Sequence, residues 1–267
     1  MSSKLYNQIV YNSPIPFLIS QFIREYDIEK ANINILYKYK VITKEQYDYL
    51  YKCPRMERQI TIGNLERKNK EITEIKKKGI TEAKKLFFES NDISDNEVLS
   101  IKNDAIFLIN KVATITRFDN INFVNKNVYT SFYRLNNNKI EAYYLYDRIK
   151  DIEKIDIKGI SKEKVDLHRE FFIDFLLTVF QTSELESIED TIKLISSFNQ
   201  IYLNLDLDVE YYRNFDEMSK YMIAMKNRNY YLDTIKRTNL KDINIICNLN
   251  IIRELWSYIC SIKFKYR

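Results

Sequence analysis

The chain has 267 residues, of which 45% are hydrophobic and 30% charged, with a net charge of +5; this excludes a disordered chain and allows one sizeable core, or a core plus a helical lobe. Three glycines in all exclude a glycine-rich phosphate loop, and with it the P-loop and Rossmann classes. A single histidine, His168, and three cysteines without ligand spacing, Cys53, Cys247 and Cys260, argue against a His-based triad and a structural zinc site.

In chain order, Pro14 and Pro16 set an extended entry into Phe17-Leu18-Ile19, and Phe22 to Asp27 reads as a strand. The spacing of Ile33, Leu36 and Tyr37 predicts a helix over 29–39, and Thr43 with Gln46 predicts an N-cap opening a second helix, Lys44 to Tyr51. Pro54 suits the first turn of a third helix, which carries Arg55 and Arg58 on one face. The lysine-rich stretch Lys68 to Lys78 reads as the turn of a helical hairpin whose second arm is Ile80 to Ser90.

After a polar loop, 91–96, two apolar runs flank Lys102-Asn103-Asp104, the pattern of a hairpin with a carboxylate at its tip. From Lys111 to Tyr146 alternation and β-branched or aromatic residues predict strands, with a turn at Asn136-Asn137-Asn138-Lys139, and a short strand follows at Ile155 to Ile160. Beyond Ser161 the pattern is helical: Lys162 to Gln181, Ser187 to Leu203, Asp216 to Met225 and Leu240 to Ile262. The expected organisation is α+β over 1–160, with a helical insertion near 40–90, and a mostly helical lobe over 161–267.

No apolar run approaches the ~18 residues of a membrane span, and the N-terminus lacks a signal-peptide core, so a cytoplasmic location away from membranes is expected. The pI of about 8.8 permits a polyanionic partner. Abundant Asn, Ile and Lys and 21 tyrosines also follow from an AT-rich genome, as in a phage or mobile element, which discounts that signal.

Asp27 and Asp104 are the candidate chemistry. Two carboxylates at strand ends can hold a pair of Mg2+ or Mn2+ ions ~3.5–4 Å apart for in-line phosphoryl transfer. The plainer alternative is one loop-capping Asp and one solvated acid.

Asp27-Ile28-Glu29-Lys30-Ala31-Asn32-Ile33-Asn34-Ile35 resembles the first catalytic motif of family B DNA polymerases, and Lys102-Asn103-Asp104-Ala105-Ile106-Phe107 sits where that family carries Asp-Thr-Asp-Ser-Ile-Phe. The helix from Gly79 to Phe88 ahead of a strand, the basic-aromatic Tyr129 to Arg134 and the Lys-Gly pair Lys158-Gly159 follow in the family's order. The resemblance spans about residues 22–205, without exonuclease or N-terminal domain. It implies a palm-like antiparallel sheet with a helical fingers insertion and a thumb-like lobe, performing two-metal transfer to a primer 3′-hydroxyl. Asp27 and Asp104 would be catalytic metal ligands. Ile28, Lys30, Ala31 and Asn32, with Arg55 and Arg58, would bind a nucleoside triphosphate, and Tyr133, Arg134 and Lys158 would contact primer–template.

Departures from the family are Lys102 in place of an acid, Asn32 in place of the sugar-stacking tyrosine, and no recognisable fingers motif. Asn32 leaves the choice between DNA and RNA open, while Lys102 and the missing fingers motif favour an alternative: a polymerase-derived module that binds nucleic acid or protein without catalysis, as in a structural phage protein, or that relies on a partner for missing domains. His168 reads as a surface or packing residue.

Overall fold

The computed structural model describes residues 4–135, 140–147, 149, 150, 152–159 and 172–203. The fold is α+β with two antiparallel sheets. Contacts divide the chain into two compact units, Met1–Pro14 with Phe22–Val128, and Ile15–Gln21 with Tyr129–Arg267. This division falls at Val128, ahead of the composition change near residue 160.

The first unit holds β1 (Val10–Asn12), β3 (Ile23–Ile28), β4 (Val98–Lys102), β5 (Ala105–Ile109), β6 (Arg117–Phe118) and most of β7 (Ile121–Tyr129), ordered β1-β4-β5-β3-β7-β6. Four helices precede β4: α1 (Ala31–Lys38), α2 (Lys44–Lys52), α3 (Arg55–Lys68) and α4 (Glu71–Ser90). The N-cap expected at Thr43 is present, and it is a full capping box, with the Gln46 backbone N–H donating to the Thr43 hydroxyl and the Gln46 side chain accepting from the Thr43 N–H.

α4 is ~30 Å long at 1.5 Å per residue, enough to serve two cores. Near its start Ile72 packs with Ile33, Leu36, Ile42, Leu50 and Ile62 in a cluster that holds no strand residue. Near its end Ala83, Phe87 and Phe88 cover the sheet, with Phe87 stacked on Phe123 at 4.2 Å and tilted against Tyr26 at 5.3 Å. α1 runs between these cores and approaches α4 at Gly79, where an added Cβ would lie 2.4 Å from Ile35 Cγ2.

The expected turn over 68–78 is corrected: α3 ends at Lys68 and α4 starts at Glu71, so most of the lysine run is helix. Lys76 pairs with Glu66, and Lys77 and Lys78 meet Glu74 and Glu82 one helical turn away. The charge run is therefore an ion-paired helix face.

In the second unit β2 (Phe17–Leu18), β8 (Ser131–Leu135), β9 (Ile140–Asp147) and β10 (Ile152–Lys158) form a sheet ordered β10-β9-β8-β2. α5 (Asp174–Leu185) covers it, with Phe180 stacked on Tyr144 at 4.9 Å and tilted against Tyr133 at 5.0 Å. Glu184 ties this helix down by accepting from the Thr130 and Ser131 hydroxyls. α6 (Ile188–Leu203) packs on α5 through Phe198 and Phe175, 4.2 Å between ring centres. The turn at 136–139, His168 and the helices expected beyond 203 lie outside the described residues.

Candidate functional site

β3 and β5 pair antiparallel through Tyr26 opposite Ile106, so Asp27 lies one rung further on, level with Ala105. Asp104 sits in the two-residue turn between β4 and β5, after Asn103, which takes the left-handed conformation at φ 57°. Asparagine tolerates that region, so the Asn-Asp pair closes the hairpin tightly. Two acids 77 positions apart thus arrive at the same end of neighbouring strands.

Their electrostatics agree with this placement. Burial, followed by the nearby Asp27 carboxylate, pushes the Asp104 carboxyl up to about 6, against the pull of its own backbone N–H, Lys126 and Lys84. Lys126 Nζ lies 3.1 Å from Asp27 Oδ2. Burial alone would lower this lysine, but the hydrogen bond and charge of Asp27, with the charge of Glu25, hold it above its usual value. Glu25, buried two positions before Asp27, accepts from Asn127 Nδ2 at 2.5 Å. Behind the hairpin, Lys84 of α4 is buried and donates to the Gln8 carbonyl at 2.5 Å, and burial takes its ammonium down to about 8.

The expected nucleotide-binding residues divide. Ile28 and Ala31 are buried in the core. Lys30, at φ 45°, caps α1 and points to Tyr51, donating to its carbonyl at 2.8 Å and lying 3.4 Å from its ring centre. Asn32 is half-buried in the first turn of α1. Arg55 opens α3 and is exposed, and its charge is felt at Lys126. Arg58 donates to the Cys53 carbonyl at 3.4 Å.

The expected nucleic-acid contacts belong to the second unit. Tyr133 and Arg134 are buried in β8, which closes those side chains to a phosphate backbone. Arg134 instead pairs with Glu141, its direct neighbour on β9, at 3.2 Å. Lys158 ends β10, 4.0 Å from Asp156. Lys102 donates to Asn12 on β1 at 2.6 Å.

Sequence reasoning missed Lys126, Lys84 and Glu25, for which there was no local signal. It also missed an open polar cleft of about 570 Å3 that starts at Glu29, two residues beyond Asp27, and is lined by α1, α2 and the β6–β7 turn.

The donor set can be tested against a divalent cation. Mg2+ is commonly held by one or two carboxylates, with substrate phosphates and water completing the shell. Asp27 and Asp104 fit that description, and no cluster of three or more acidic, His or Cys ligands occurs among the described residues. Such an ion would supply a Lewis acid for phosphoryl oxygens.

No helix among the described residues is long and apolar enough to cross a membrane. No curated protein matches the chain. The family described as "Bacteriophage PBS1 gene 130 protein" matches residues 1–261, nearly the whole length, and the chain therefore belongs to that phage protein family.

Proposed function

We propose that this phage protein is a nucleotidyltransferase whose Asp27–Asp104 pair takes Mg2+ or Mn2+ as two ions, in the manner of a minimal family B DNA polymerase core. The observation that carries the reading is the meeting of two remote acids at one end of β3 and the β4–β5 hairpin, close enough that the Asp27 charge adds to burial in raising Asp104 to about 6. A carboxylate pair that resists full ionisation is what a bound cation relieves. The backbone after Asp27 and the exposed Arg55 would receive a nucleoside triphosphate. A primer–template would approach the acids over Lys126, not over Tyr133 and Arg134, which are buried.

A second reading is a related module that binds nucleic acid or a protein partner without catalysis. It is favoured by Lys126, which already neutralises Asp27 at 3.1 Å, and by a family match whose description carries no activity.

The test is a thermal melt of the full chain with Mn2+ and a nucleoside triphosphate, followed by primer extension with deoxy- and ribonucleotides. Metal at one hundred times Kd contributes roughly 2.7 kcal/mol of stability by linkage, and Asp104→Asn should abolish both that shift and extension. A metal-independent melt with no extension by the intact protein leaves the second reading.

A further inference from the structure

The polar cleft is built by residues that the acid pair does not use. Its floor is a closed hydrogen-bond frame. Asn34, buried in α1, donates to the Glu29 carbonyl at 2.5 Å and accepts from the Tyr47 hydroxyl at 2.8 Å, while Asn120 donates to the Asn34 carbonyl at 2.6 Å. Glu29 is held by one bond to each oxygen, from Tyr51 at 3.1 Å and from Asn122 at 3.4 Å. The two phenols lie side by side, with ring centres 5.6 Å apart. Burial, above all, holds both hydroxyls above their usual range, so they stay protonated and keep their donor role at neutral pH.

What this frame leaves over defines the ligand. A carboxylate has about four acceptor positions, so each Glu29 oxygen has one to spare. Asn120 and Asn122 also line the cleft, together with Arg117 and Asp119, both exposed. Asp119 sits at φ 53° in the β6–β7 turn, and the Arg117 guanidinium reaches the Tyr51 hydroxyl electrostatically. Two carboxylates would repel an anion, and Arg117 would oppose a cation. A neutral ring bearing several hydroxyls satisfies both, because each hydroxyl donates and accepts, and adjacent hydroxyls match the spacing of carboxylate and amide oxygens. The volume, about 570 Å3, falls within the ~300–1,000 Å3 of small-molecule sites.

We propose that this cleft binds a sugar ring through a vicinal diol, held between Glu29, Asp119 and Arg117. Free or glycosidic sugars and the ribose of a nucleoside share this chemistry.

The experiment is saturation-transfer NMR on the full chain with methyl ribofuranoside, its 2-deoxy analogue and methyl glucopyranoside. Binding of a diol sugar is expected, with the deoxy analogue weaker and with Arg117→Ala and Asp119→Asn each costing about tenfold, the scale of a lost hydrogen bond to a charged group. Both positions are exposed, so folding is spared. Preference for the ribofuranoside assigns the site to nucleoside-type sugars and preference for the glucopyranoside to hexoses, and either supports the proposal. Asp27→Asn should leave binding unchanged, which separates this site from the acid pair. No transfer to any of the three sugars, equal binding of the deoxy analogue, or indifference to both rim variants overturns it.

Discussion

Replacing Asp104 by asparagine should stabilise the protein, and only above a defined pH. The folded carboxyl is raised from its usual 3.8 to about 6, about two pH units, or about 3 kcal/mol at 1.36 kcal/mol per unit. Because the folded state keeps its proton to higher pH than the unfolded chain, that advantage is complete below pH ~4 and disappears as pH climbs from 4 through 6. At pH 8 the wild type therefore carries the full cost of a charged Asp104 beside Asp27, and an uncharged isostere does not. The figure is an upper bound, since water at the hairpin tip screens the charge. Urea unfolding of both proteins in chelator at pH 4 and pH 8 checks the claim. The curves should nearly coincide at pH 4, and Asp104→Asn should be more stable by 1–3 kcal/mol at pH 8. A stability difference independent of pH, or a less stable variant at pH 8, refutes the raised carboxyl, and with it the placement of Asp104 in a buried position beside Asp27.

Gly79→Ala should destabilise the first unit by about 1–3 kcal/mol through overpacking against Ile35, even though alanine is the better helix former; denaturant titration reads the loss, and a neutral or stabilising result would mean that α1 and α4 separate freely. Arg134→Met alone leaves the buried Glu141 without its guanidinium, with the Tyr143 hydroxyl still donating to it, and should cost about 3–5 kcal/mol. Adding Glu141→Leu should recover most of that loss in the same titration, because the pair is buried on both sides and a hydrophobic pair of similar volume needs no counter-charge.

The elements around the acids were legible because their signals are local. Thr43 with Gln46 announces an N-cap, and a polar triplet between apolar runs announces the β4–β5 hairpin. The lysine run of 68–78 was misread because charge density looks alike in a turn and on a solvated helix face; what decides is Glu66, Glu74 and Glu82 at pairing distance. The burial of Tyr133 and Arg134 depends on β2 adding to β8 from a segment more than a hundred residues earlier, which no window of sequence contains. Lys126 and the cleft are illegible for the same reason: Asp27 meets Lys126 across 99 positions and Glu29 meets Asn122 across 93, so each needs the strand register before it exists.

The short β2 strand comes from a stretch, Ile15–Gln21, enclosed on both sides by segments of the first unit. The polypeptide consequently passes between the two units three times, and no single cut separates them. A fragment starting at Tyr129 would lack the strand that covers one margin of its sheet and would offer β8 as a bare template for self-association. During synthesis Phe17 and Leu18 must wait until Phe132 and Tyr133 leave the ribosome. A cut at Val128 therefore parts β8 from the strand it pairs with.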